Sequence, residues 1–81
     1  MFVEIVLTAL PDHLDRDDVE DALAEAFGPA GEITGAGVGM GRCHLDLEVA
    51  PGLDRDEALA RVRAVLAELG LAPLAKLTAS D

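Results

Sequence analysis

Apolar and polar positions along the chain switch between two periods. In Phe2-Val-Glu-Ile-Val-Leu-Thr8, Val3, Ile5 and Leu7 fall on one face, and Phe2, Glu4, Val6 and Thr8 on the other. That alternation predicts a strand with one wholly apolar side. After Pro11, Val19, Ala22, Leu23, Ala26 and Phe27 recur as a single helical stripe, which predicts an amphipathic helix. Asp15 stands where its N-cap belongs, with Asp18 three residues on in a capping-box position. The acids of the first turn suit the positive end of the helix dipole, and Gly28-Pro29 ends the helix.

The middle of the chain, Gly31 to Val49, begins rich in glycine and ends in strict alternation. Every odd position from Ile33 to Val49 is glycine, cysteine or aliphatic, and the even positions from Arg42 to Glu48 are all polar or charged. This predicts a β-hairpin, with a strand near Glu32 to Val38, a turn within Gly39 to Arg42 and a strand from Cys43 to Val49. Pro51-Gly52 closes it. Leu53-Asp-Arg-Asp-Glu57 then opens a second helix, with Asp54 as N-cap and Glu57 completing a capping box. Leu59, Val62, Leu66 and Leu69 form its expected buried stripe, with Val65 beside them. Gly70 followed by Leu71 fits a Schellman ending. Pro73 to Thr78 reads as a short last strand, placed at a sheet edge because it starts with proline.

An internal repeat relates the two halves. Leu14-Asp-Arg-Asp-Asp18 and Leu53-Asp-Arg-Asp-Glu57 each follow a strand and start a helix. The resulting order β-α-β-β-α-β, over a single domain spanning 1–81, resembles the ferredoxin-like split-βαβ superfold. That resemblance implies an α+β fold with a four-stranded antiparallel sheet of order 4-1-3-2 and both helices on one face. It carries no function, because the superfold serves many.

Composition narrows the partners. The chain of 81 residues has a formal net charge of -10, and the acids concentrate in its first half: nine acids and one base in residues 1–40, against seven acids and five bases in 41–81. Such a field repels phosphate backbones and anionic membrane surfaces, and with no Trp, no Tyr and only two Phe there are few stacking platforms. Neither nucleic acid nor membrane is therefore an expected partner. No apolar run approaches a membrane span and no basic leader precedes one, so a cytoplasmic protein is expected.

Candidate chemistry is sparse. Cys43 falls on the apolar side of its strand and reads as a buried, reduced thiol. His44 points to the opposite face, the wrong geometry for a Cys-His pair. The run Gly35, Gly37, Gly39, Gly41 precedes a strand instead of a helix and has only Arg42 nearby, which argues against a phosphate loop and leaves two readings: a thin, flexible or bulged hairpin at the sheet edge, or a strand kept bare so that another backbone can dock. If the odd residues of the first and third strands face the helices, their even residues share the open face as central neighbours. Phe2, Glu4, Val6 and Thr8 then lie beside His44, Asp46 and Glu48. Of these, Glu4, His44, Asp46 and Glu48 form the one plausible set of metal ligands or acid-base groups. Alternate strand residues sit about 7 Å apart, so two of them share an ion only if a neighbouring strand supplies a third. No CxxC, HExxH or calcium-loop spacing accompanies them, and no metal or other cofactor is expected.

Three function classes follow. The first is a small acidic, non-enzymatic interaction or accessory module, meeting a protein partner or a second copy through the open sheet face (Phe2, Glu4, Val6, Thr8, His44, Asp46, Glu48) or the hairpin edge (Gly35, Gly37, Gly39). The acidic face of the first helix, Asp17, Asp18, Glu20, Asp21 and Glu25, reads first as a solubilising surface, with docking of a basic partner as the alternative. The second is a small-molecule-sensing domain similar to ACT regulatory domains, by architecture alone. The third is a small enzyme of the dimeric ferredoxin-like barrel type, disfavoured by the scarcity of His and aromatic residues.

Overall fold

The expected elements form, in the expected sequence. A computed structural model describes residues 1–80 as β1 (Phe2–Leu7), α1 (Arg16–Phe27), β2 (Gly31–Gly39), β3 (Arg42–Val49), α2 (Arg55–Glu68) and β4 (Ala75–Ser80). Short 3-10 turns at Gly28–Ala30 and Ala72–Leu74 precede β2 and β4. The architecture is α+β: a four-stranded antiparallel sheet with two helices. The order across the sheet is β2-β3-β1-β4, or β4-β1-β3-β2 from the other edge, so β1 and β3 are central neighbours and β2 and β4 are edges.

The core lies between the helices and one face of the sheet. Val3, Ile5 and Leu7 of β1 and Cys43, Leu45, Leu47 and Val49 of β3 are buried, and pack in one cluster with Val19, Leu23 and Phe27 of α1 and Ala58, Val62, Val65 and Leu66 of α2. Not one buried polar or charged residue occurs among those described. Every side chain that β1 and β3 send to this side is aliphatic or the thiol, so it transfers from water without stranding a hydrogen-bonding group.

The helix ends show which local signals acted. At Asp15 the capping box forms: the Asp18 amide donates to Asp15 Oδ1 at 3.0 Å and the Asp15 amide donates to Asp18 Oδ2 at 3.0 Å. Asp54, predicted to do the same with Glu57, makes no side-chain cap hydrogen bond. Glu57 instead accepts from Arg61 Nη2 one turn ahead, at 3.5 Å. A competing i,i+4 partner, absent from the Asp15-Asp18 pair, holds the carboxylate that would reach back. The Schellman ending forms as expected: the Leu71 amide donates to the Leu66 carbonyl at 2.7 Å and the Gly70 amide to Ala67 at 3.1 Å, with Gly70 at φ 75°.

Other boundaries shift. Ala26, expected in the apolar stripe of α1, is exposed, and Leu69 of the expected α2 stripe is only half-buried. Pro73 belongs to the 3-10 turn before β4, which starts at Ala75; the strand begins only where no ring occupies the amide that pairing needs.

The largest correction concerns the hairpin. Its register pairs Ile33 with Leu47 but Gly35 with Asp46, so Thr34 is an extra, unpaired residue in a β-bulge. One inserted residue reverses the alternation. Upstream of the bulge Gly31 and Ile33 lie on the helix side. Downstream it is Ala36 and Val38 that share the face of Leu45 and Cys43, while Gly35, Gly37 and Gly39 share the open face of Asp46, His44 and Arg42. The unbroken odd-position pattern from Ile33 to Val49 therefore does not describe a single face. The turn is the two-residue Met40-Gly41, with φ of 53° and 78°. Positive φ at both positions is the type I′ signature that suits hairpin twist.

Candidate functional site

The open face can be built row by row from the register. Across β2-β3-β1-β4, one row runs Glu32-Glu48-Phe2-Ser80, the next Gly35-Asp46-Glu4-Thr78, and the third Gly37-His44-Val6-Lys76; Gly39-Arg42 closes the hairpin side. The first two rows gather four carboxylates, and the last two carry Lys76 and Arg42. The face thus has an acidic pole and a basic pole along the strand direction. Two like-charged pairs, Glu4 with Asp46 and Glu32 with Glu48, stand directly opposite one another, an arrangement that destabilises a sheet unless something compensates it.

Compensation is visible for only one of them. His44 Nε2 lies 3.1 Å from Glu4 Oε2 and 3.2 Å from Asp46 Oδ1, so one imidazole nitrogen faces two carboxylates contributed by two strands. All three side chains remain accessible, at 41% for His44, 52% for Glu4 and 41% for Asp46. The donor atoms of Glu4, His44 and Asp46 lie within 4.8 Å of one another. The third donor that the sequence demanded from a neighbouring strand is Glu4; Glu48, one row away opposite Phe2, stays outside the set.

The bulge makes room beside this cluster. A Cβ on Gly35 would come within 2.9 Å of Asp46 Oδ2, whereas one on Gly37 would meet nothing within 4 Å. Glycine at 35 therefore leaves the Asp46 carboxylate its position, and β2 raises no side-chain wall along the His44 and Asp46 side of the cluster.

The remaining predicted face residues divide. Phe2 is 42% exposed and Val6 is half-buried, both on the open face with no element of the described chain covering them. Thr8 lies just past β1, and its hydroxyl donates to the Leu74 carbonyl at 3.2 Å, so it is tied to the loop before β4. Lys76, Arg42 and Glu32 were not singled out from the sequence. Lys76 became visible only with the β4 register, and Glu32 only with the hairpin register. Val38, 60% exposed, and Met40, fully exposed, form an apolar hairpin tip that the odd-position pattern had concealed.

On the opposite side, Cys43 is fully buried, unpaired and next in sequence to a His44 that faces away. Burial pushes its thiol above the ordinary range; Arg16 draws it down and Glu20 adds to the rise. A thiol held protonated in an apolar layer is a poor nucleophile. His13 lies in the loop before α1, apart from the three-donor cluster. Two grooves flank α2: one of about 370 Å³ against α1, between Ala22, Glu25, Val65 and Glu68, and one of about 340 Å³ against β4, between Arg63, Leu66 and Leu77. Neither brings together a His or Cys with an acid. Among the described residues no helix is long and apolar enough to cross a membrane.

No protein-family model, curated protein or solved structure gives a significant match to this chain.

Proposed function

We propose that the chain is a small, non-enzymatic protein-interaction module that works through its open sheet face, and that the partner this face fits best is a second copy of itself. The observation that carries the reading is the split of charge on that face: Glu4, Glu32, Asp46 and Glu48 toward one end, Arg42 and Lys76 toward the other, with Val6 in the row of Lys76. A two-fold axis lying between two such faces and across the strands sets each acidic pole against the other copy's basic pole, as a self-complementary interface requires. Phe2 and Val6 supply the apolar contact that the chain's own helices, on the other side, leave uncovered. Retaining like-charged cross-strand pairs on an accessible face costs stability, which is consistent with a face kept for recognition. The element and strand orders support a ferredoxin-like split-βαβ assignment, and the unpaired Cys43 fits a reducing, cytoplasmic location.

Sedimentation equilibrium tests this reading. The expected result is a reversible dimer that weakens with added salt, and that Val6→Glu shifts toward monomer without loss of helical signal. A strict monomer at millimolar concentration, or a dimer indifferent to Val6→Glu, overturns association through this face.

A further inference from the structure

The geometry points to a divalent transition-metal site, of the kind that takes zinc, formed by Glu4, His44 and Asp46 on the open face. Three observations carry it. The donor set is mixed, one imidazole nitrogen and two carboxylates, the combination that suits borderline metals such as zinc better than magnesium or calcium, which favour oxygen alone. Two of the three donor spacings, those to the imidazole, are those of ligands on a shared ion, and all three donors lie within 4.8 Å of one another. Metal-ligand bonds of about 2.0–2.1 Å place neighbouring donors about 2.8–3.4 Å apart between octahedral and tetrahedral geometry, and His44 Nε2 stands 3.1 Å from Glu4 Oε2 and 3.2 Å from Asp46 Oδ1.

The third observation is independent of the donors' distances. Glu4 and Asp46 are directly opposed across β1 and β3, an intrinsically repulsive pairing, while Arg42 and Lys76 form no ion pair among the described residues. A cation between the two carboxylates removes that repulsion. A neutral imidazole has a single proton, which cannot satisfy both carboxylates fully through the same nitrogen. A metal replacing that proton bonds all three donors at once.

Access is provided by β2. Gly35, where a Cβ would press on Asp46, and Gly37, paired with His44, leave the approach from that edge free of side chains. Three protein donors leave one or more coordination positions open, so an ion held here could also accept a donor from outside the chain. The inference does not depend on self-association, because all three donors come from one chain.

Calorimetric titration of zinc chloride into chelator-stripped protein, alongside a thermal melt, provides the test. The expected result is one zinc per chain with a raised melting temperature, and no comparable heat from magnesium. Losing even an outer-shell partner of a metal typically weakens binding about 10–100-fold, so His44→Ala and Asp46→Asn should each weaken zinc binding at least about tenfold. Glu48→Gln, on the same face but outside the set, and His13→Ala, the other histidine, should leave it unchanged. Using two donor variants keeps the test open if one folds poorly, and the melt of each in chelator reports folding separately. Absence of saturable binding by the wild-type chain overturns the site, as does binding that survives both donor substitutions or is lost with His13→Ala.

Discussion

The same two strands, β1 and β3, present two opposite surfaces, and the contrast between them shows which physical pressure governs each. Toward the helices, Val3, Ile5, Leu7, Cys43, Leu45 and Leu47 are all fully buried. Toward solvent, the interleaved acids Glu4, Asp46 and Glu48 keep charge in contact with water beside His44, two of the acids in opposition. One side is optimised for exclusion of water and tolerates no polar group. The other accepts repulsion that burial would make prohibitive. Stability should therefore depend on the first side and interaction on the second.

The most severe test of that division is a pair of neighbouring substitutions on β3. Leu45→Ala removes a fully buried side chain and should cost about 2–5 kcal/mol, whereas His44→Ala, which loses only exposed contacts to Glu4 and Asp46, should cost no more than about 1 kcal/mol when both chains are melted in chelator. Because about 1 kcal/mol moves the midpoint of a domain this size by about 4–8 °C, thermal melts separate the two outcomes. Comparable losses from both would break the contrast between the faces.

The buried thiol offers a test by pH. Burial raises Cys43 above its ordinary value, so the folded state favours the protonated form. Its contribution to stability is fully present below the unfolded-state pKa, about 8.5, and is lost as pH rises through the higher folded value. With no Tyr and a single lysine, Lys76, few other groups titrate in that alkaline range. Denaturant midpoints measured from pH 7 to 10 should fall, and Cys43→Ala should flatten the fall; an equal slope in both would show that the thiol is not held in the apolar layer.

Smaller effects sharpen the picture of the helical layer. Asp15→Ala deletes a formed capping box and should cost about 1 kcal/mol; Asp54→Ala, at a cap with no side-chain hydrogen bond, should cost far less by the same melt. At the hairpin tip, Met40→Asn should raise stability by a few tenths of a kcal/mol up to about 1 kcal/mol, because asparagine tolerates the left-handed conformation that methionine holds at φ 53°. A decrease in the melting temperature would mean that Met40 makes a contact worth more than its backbone strain.

Most of the fold was legible because its signals are local or periodic. Val3, Ile5 and Leu7 against Leu45 and Leu47 needed only alternation, and Asp15 and Gly70 needed only the chemistry of helix ends. Asp54 failed because its cap depended on Glu57, which Arg61 engages from the next turn, a competition between two local rules that spacing alone does not decide. The donor set was legible in part: His44 and Asp46 share a face by parity, and Glu4 joined them once β1 and β3 were taken as neighbours. That Glu48 drops out and that Lys76 enters depends on register, which is a long-range property. A bulged hairpin is one reading of the glycine run, but its position at Thr34 was not legible: Gly35, Gly37 and Gly39 carry no hydrophobic signal, and the change of parity from Ile33 to Ala36 and Val38 rests on three residues.

That bulge determines which kind of genetic change the open face can tolerate. A point substitution in β2 alters one side chain and leaves every other residue facing where it did. Deleting Thr34 would remove the extra residue and leave Ile33 toward the helices and Gly35, Gly37 and Gly39 toward Asp46 and His44, whereas straightening the bulge with Thr34 retained would slip the register by one and turn Ala36 and Val38 toward the open face. At the present length of this segment, keeping the bulge, more than the identity of its residues, should therefore decide whether the approach to His44 stays clear.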